Sequence, residues 1–178
     1  MELEKIKKIY AGYSNVYDAL FKRFFYPRIR HAIGSMDIRP GDLILDVGVG
    51  TGLSLPLFPR YCKVIGIDLS PLMLKKAREK VKKYNLTHIE LREMDAMSLR
   101  FPDNTFNKVF ISHVVSVVHD PYRTMAEVRR VCKSGGRIVV VNHFQSKNKV
   151  VAKVEKMITP LSKKIGWRSD LCLDEFIK

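Results

Sequence analysis

Four groups of residues in this chain have the types and spacing to do chemistry. The first is Ile44-Leu45-Asp46-Val47-Gly48-Val49-Gly50-Thr51-Gly52, a short apolar run, a carboxylate, and glycines at every second position. Glycine accepts positive φ and lets a ligand approach the main chain without meeting a Cβ. The stretch reads as a strand running into a tight turn and a helix start, whose unpaired N–H groups would face an anionic group. Such a loop binds a nucleotide-like cofactor. The second group ends in Asp68, 22 positions after Asp46, near the ~20-residue offset of an acid that accepts ribose hydroxyls. The third is Met94-Asp95-Ala96-Met97, where Asp95 suits an adenine amino group and Met97 the face of the ring. The fourth is His113 with Ser116, and Asn142-His143, each following an apolar run. Open α/β sheets place ligands at such carboxyl strand ends.

The glycine spacing narrows the ligand. A dinucleotide fingerprint needs G-x-G-x-x-G, and its third glycine position is Leu53 here. A Walker phosphate loop needs a lysine after its last glycine, and none follows Gly52. Asp46 also suits a ligand with an ammonium or hydroxyls better than a pyrophosphate. Plainer alternatives stand beside each reading: a glycine turn without ligand, a surface carboxylate at 95, a structural histidine at 113 or 143.

These residues need strands to carry them. The expected strands are Leu43 to Asp46, Tyr61 to Asp68, Ile89 to Arg92, Lys108 to Ser112 and Arg137 to Asn142, the fourth a near-continuous apolar run of the kind central parallel strands use. Ser70-Pro71 opens a helix as N-cap and first residue. It is expected to turn Leu72, Met73, Ala77, Val81 and Tyr84 inward, with Lys75, Lys76, Arg78, Lys80, Lys82 and Lys83 on its solvated outer face. Asp120-Pro121 opens another through Met125 and Val128 to Val131, and Lys133-Ser134-Gly135-Gly136 reads as a turn. The alternation predicts an α/β fold, a mostly parallel sheet with helices on both faces.

Leu3, Ile6, Tyr10, Tyr13, Tyr17, Leu20 and Phe24 recur at spacings of three and four, one face of an N-terminal helix. Its interleaved lysines and arginines suit an interfacial helix on anionic lipid, or a lid over the cofactor. A second basic amphipathic helix is expected over 149–165. Residues 1–36 are thus expected as lid or membrane-contact helices and 37–178 as the catalytic domain.

A chain of 178 residues, 46% hydrophobic, holds one domain with a proper core. No apolar run approaches the ~18 residues of a membrane span, and the N-terminus has no signal-peptide core. Three scattered cysteines suggest neither a disulfide framework nor a zinc cluster. These features point to the cytoplasm, with no metal. A formal charge of +14 implies attraction to something anionic, nucleic acid or an acidic lipid surface. Its plainer reading is a lysine-rich, solvated surface.

As a set, Asp46-to-Gly52, Gly66-Ile67-Asp68-Leu69-Ser70, Met94-Asp95-Ala96, Phe101-Pro102-Asp103 and Arg130-Val131-Cys132-Lys133-Ser134-Gly135-Gly136 resemble the class I S-adenosylmethionine (SAM) methyltransferases, with their Rossmann-like fold. More narrowly, Val47 to Pro56, Ser116-Val117-Val118, Asn142-His143-Phe144 and the tyrosine series resemble the soluble bacterial phosphatidylethanolamine N-methyltransferases. The resemblance implies SAM as cofactor, with S-adenosylhomocysteine as product. It implies contacts from Tyr10, Tyr13, Asp46, Gly48, Gly50, Thr51, Gly52, Asp68, Leu69, Met73, Asp95, Ala96, Met97 and Ser112. Three departures stand out: Ser134 where the family usually has proline, Asn107 where it usually has aspartate, and the end of the fold. The thirty-six residues after Asn142 read as helix, break and helix start, not the usual C-terminal β-hairpin, so that hairpin is expected to be missing.

The resemblance also implies methyl transfer to an amine, phosphatidylethanolamine or its methylated products, by a monomer peripheral on the inner membrane face. His113 or His143 would take or relay the proton, Tyr17 would orient the nitrogen, and the tyrosines would bind a quaternary ammonium by cation–π attraction. The rival enzyme is a methyltransferase on another small molecule, such as a quinone precursor. A nucleic-acid methyltransferase is disfavoured, because Ser112-His113-Val114-Val115 replaces the Asn/Asp-Pro-Pro-aromatic motif of base-amino enzymes. The non-enzyme rival is a SAM-binding peripheral membrane protein.

Overall fold

The five expected segments pair as five parallel strands, and the computed structural model describes them within residues 25–142. Helix α1 covers 25–34 of the described residues. β1 is Leu43–Val47, followed by a 3-10 turn at Leu55–Leu57 and β2 at Lys63–Asp68. Helix α2 is Pro71–Lys83, β3 Ile89–Glu93, β4 Phe106–Ser112, helix α3 Pro121–Val131 and β5 Cys132–Val141. The spatial order is β3-β2-β1-β4-β5. Chain order reverses between β1 and β4, where such a sheet leaves a crevice at its carboxyl edge.

Alternation along the strands sorts the core into layers. Leu45, Val47, Ile67, Val109 and Ile111 face one way and pack with Met125, Val128 and Val131 of α3. Ile44, Val64 and Phe110 face the other way and pack with Ile29, Ile33 and Met36 of the α1 region. Val49, Leu55, Leu74, Ala77 and Leu86 form a third cluster, under α2. Met36, Ile44, Leu45, Phe106 and Phe110 are fully buried, so both sheet faces are covered, as expected.

Several expectations need correction. No α-helix follows the glycine loop. Only the 3-10 turn at Leu55–Leu57 forms, with Pro56 in its first turn, and Pro59 three residues on has no amide to continue it. Leu72 and Tyr84 do not face inward: they are 57% and 45% exposed, and the buried stripe of α2 is Met73, Leu74 and Ala77. Tyr84 lies past the last helical turn as C-cap. Lys80 does not belong to a purely solvated face, because its Nζ donates to Thr51 Oγ1 at 3.3 Å. Tyr61 precedes β2, which starts at Lys63. Lys133 to Gly136 is not a free turn either. α3 runs straight into β5, and these residues form a bulge between the Phe106–Cys132 and Lys108–Arg137 pairs.

Asn107 sits within β4, and its Oδ1 accepts the Leu43 amide at 3.0 Å and Lys133 Nζ at 3.3 Å. An aspartate oxygen would accept both bonds, so this departure leaves the fold intact. Among the described residues β3 forms one edge of the sheet. Glu90 and Arg92, two residues apart on that strand, pair at 2.6 Å. The helix expected over 149–165 and the C-terminal region lie outside the described residues.

Candidate active site

Asp46 is the next-to-last residue of β1, on the same side of the strand as Ile44, and is only 1% exposed. Ser54 Oγ donates to its Oδ2 at 2.5 Å. Burial pushes the carboxyl up from 3.8 to about 7; the Ser54 bond opposes this and the nearby Asp68 charge adds to it. Removing a charge from water favours the neutral acid, and one neutral hydrogen bond does not offset that.

The glycine loop is shaped by what lies behind it. A Cβ on Gly52 would sit 2.7 Å from Leu55 Cδ1 and 3.2 Å from Ala77 Cα, and the residue has φ +78. Gly52 thus performs the close helix-packing task, against α2. One on Gly48 would lie 2.0 Å from Val114 Cγ2, so the loops after β1 and β4 meet there. One on Gly50 would meet only the Gly48 carbonyl oxygen, at 3.9 Å. That is the open side of the cradle.

Asp68 ends β2 and ties the loop down. Its Oδ2 accepts the Gly50 amide and its Oδ1 the Ser70 amide, both at 2.8 Å. Burial raises its proton affinity, and the amides of Ser70, Gly50 and Leu69 oppose the rise. The Gly50 N–H therefore faces a protein carboxylate and not a ligand anion. A carboxylate has about four acceptor sites, so three amides leave room for a ribose hydroxyl. Ser70 caps α2 as expected, its Oγ accepting the Met73 amide at 3.4 Å.

At the end of β3, Met94 N donates to the Asp68 carbonyl at 3.1 Å, which sets Asp95 beside the end of β2. Asp95 Oδ1 accepts the Met97 amide at 2.8 Å, and Asp95, Ala96 and Met97 are half-buried. At the end of β4, Ser112 Oγ is buried with no hydrogen-bond partner among the described residues. His113 follows with φ 57, a left-handed conformation uncommon outside glycine. Its amide donates to the Val141 carbonyl at 2.7 Å, and its ring meets the Phe25 ring at 4.4 Å, edge to face. Ser116 Oγ donates to Asn142 Oδ1 at 3.1 Å.

The four strand ends thus bring Asp46, the 48–52 loop, Asp68 with Leu69, Asp95 to Met97, and Ser112 with His113 to one edge of the sheet. Met73 lies in the first turn of α2, its side chain buried. Tyr10, Tyr13, Tyr17 and His143 lie outside the described residues. Sequence reading missed Ser54, Phe25 and Lys80. Only Ser54 gave a local signal, a hydroxyl shortly after a glycine turn.

The arrangement fits a nucleoside bearing a cation. Two carboxyls whose proton affinity burial raises favour a positive ligand charge, Gly50 leaves room for close approach, and the buried Ser112 hydroxyl has a bond to give. Residues 45–140 also match the family described as methyltransferase domain. The chain belongs to the SAM-dependent methyltransferases. This methyltransferase is 42% identical over 175 residues to a phosphatidylethanolamine N-methyltransferase of Cereibacter sphaeroides, covering 98% of this chain and 85% of that one. It is 34% identical over 152 residues to a demethylmenaquinone methyltransferase of Anoxybacillus flavithermus, covering 80% of this chain but 63% of that one. The methyltransferase fold also matches the YcgJ protein of Bacillus subtilis, with TM-score 0.76 and 23% identity, over 85% of this chain and 65% of that one. SAM is the methyl donor of this family.

Proposed function

We propose that this methyltransferase transfers methyl groups from SAM to the amine of phosphatidylethanolamine, and to its methylated products, at a membrane surface. The observation that carries this reading is the 42% identity over 98% of the chain to a phosphatidylethanolamine N-methyltransferase. The quinone relative matches less of this chain and less of its own length, which supports the phospholipid over the quinone precursor.

When bound, SAM supplies an electrophilic methyl on a sulfonium. Asp46 and Asp68 provide negative charge for the cationic cofactor, with Asp68 also accepting ribose hydroxyls. Asp95 and Met97 hold the adenine, Ser112 Oγ gives a hydrogen bond, and Thr51, Leu69, Met73 and Ala96 complete the lining. A primary amine titrates near ~10.4 in water, so at neutral pH it arrives protonated and needs a base or a dry site. His113 takes that proton. It is held at the switch point by the Val141 carbonyl and the Phe25 edge, and the left-handed backbone of a non-glycine residue is strain of the kind that clusters at functional positions. In this reading Tyr17 and His143 act on the acceptor side, Tyr10 and Tyr13 close over the cofactor, and residues 1–36 supply the lid and membrane contact, anchored on the sheet of the 37–178 catalytic unit through Ile29, Ile33 and Met36. The +14 charge supports docking of a monomer on the anionic inner face of a membrane. Among the described residues no helix is long and apolar enough to cross a membrane.

The test is incubation with methyl-labelled SAM, liposomes containing phosphatidylethanolamine and, separately, a demethylated quinol, with products resolved. Label in mono-, di- or trimethylated lipid is expected. Label in the quinol alone, or none despite calorimetric SAM binding, refutes the assignment.

A further inference from the structure

The connection from β3 to β4, residues 94–105, carries Asp95, Ala96 and Met97 and contains no helix. A stretch of that length without secondary structure is near the upper limit for a compact domain, so other parts of the fold must hold it.

Three side chains of α3 do. Arg123, Glu127 and Arg130 stand at i, i+4 and i+7, one stripe of the helix. Arg123 Nε donates to the Met97 carbonyl at 2.9 Å. Glu127 Oε2 accepts the Leu99 amide at 2.8 Å. Arg130 donates to the Leu99 and Phe101 carbonyls, both at 2.8 Å, and to Asp103 at 2.7 Å. Arg130 also pairs with Glu127 at 2.7 Å, which holds the Glu127 carboxyl below its ordinary range. Of the bonds to the loop, all but that to Asp103 reach its main chain, so they fix its path whatever its side chains are.

The Arg123 bond is the one that bears on the ligand. Met97 is held at both ends: its carbonyl by Arg123, and its amide by Asp95 Oδ1 at 2.8 Å. Asp95 Oδ2 takes no protein hydrogen bond among the described residues. Arg123 is also fixed itself, since its amide donates to Asp120 Oδ1, the N-cap of α3, at 2.9 Å. Asp120 closes the loop that begins at His113 on the acceptor side.

We propose that Arg123 is a positioning residue for base recognition: through Met97 it sets where Asp95 presents its second carboxylate oxygen to the adenine amino group. This rests on the assignment of Asp95 to the adenine. The test uses the full chain and calorimetry with two ligands, S-adenosylhomocysteine and S-inosylhomocysteine, which carries a carbonyl in place of the 6-amino group. Wild type prefers the adenosyl ligand by about tenfold, the worth of one buried hydrogen bond. Arg123→Met loses about fivefold or more for the adenosyl ligand and less than about twofold for the inosyl one, so the preference collapses. Arg123→Lys, which keeps one donor, recovers part of it. Equal weakening for both ligands in Arg123→Met, or wild-type preference in that variant, overturns the positioning role while the Asp95 assignment stands. Equal affinities in wild type overturn both.

Discussion

Asp46→Asn is expected to stabilise the cofactor-free protein at alkaline pH while abolishing its response to SAM. The wild-type carboxyl is raised from 3.8 to about 7 in the folded state. A group raised in this way contributes fully to stability below its unfolded value, and the contribution is lost as pH climbs through the folded one. The loss grows between pH ~4 and pH ~7 and is complete above that. At about 1.4 kcal/mol per pH unit it reaches about 4 kcal/mol at pH ~8. Asparagine carries no charge to desolvate, and its Oδ1 still accepts the Ser54 hydroxyl. Its NH2 lacks a partner there, which returns about 1–3 kcal/mol. The net gain at pH ~8 is about 2 kcal/mol, or roughly 4–8 °C at ~2–4 °C per kcal/mol. The sharper quantity is the difference between variant and wild type, because all other titrating groups cancel. That difference should grow by about 2 kcal/mol from pH ~5.5 to pH ~8. Thermal and urea unfolding of both proteins at the two pH values measure it. A difference that does not change with pH, or a variant less stable than wild type at pH ~8, would refute the account of Asp46 as a buried carboxylate awaiting a cation.

Two more predictions follow from the same geometry. Affinity for SAM should tighten as pH rises through about 7, by roughly twentyfold between pH ~5.5 and pH ~7.5, because the cationic ligand requires ionised Asp46; calorimetry giving a flat profile would sink the pairing. Gly52→Ala places a Cβ against the Ala77 backbone at φ +78 and should cost about 2–4 kcal/mol in urea unfolding, whereas a loss below about 0.5 kcal/mol would show that the loop is not pinned by α2.

What could be read from the sequence was what is encoded locally. The N-caps Ser70 and Asp120 each precede a proline, and both caps form. The expected segments fell within one or two residues of the strands at four of the five positions, and in the central β1 and β4 burial leaves little freedom in composition. The start of β5 was missed because a bulge and a free turn use the same glycine-rich residues. The helix after Gly52 was expected from the strand–glycine pattern, yet Pro56 and Pro59 were visible arguments against it. Leu72 was assigned inward by hydrophobicity alone, one step off the buried stripe through Met73 and Ala77. The bonds from Lys80 to Thr51 and from Arg123 to Met97 were beyond any local pattern. Each joins groups whose approach is decided by the packing of whole elements, and a basic residue on a helix looks the same in sequence whether it meets water or a carbonyl.

The ion pair on β3 bears on how the protein behaves when crowded. An edge strand offers unpaired amides and carbonyls to any other strand that drifts near, and such edges seed sheet-to-sheet aggregation. β3 is short, and Glu90 and Arg92 sit side by side on one face of it, each substantially exposed. A second copy approaching that edge would have to strip water from both charges before its backbone could pair. Colloidal stability at this flank therefore depends on two ordinary surface residues, and replacing them with valine or threonine, the residues that favour strands most, would turn it into an adhesive edge.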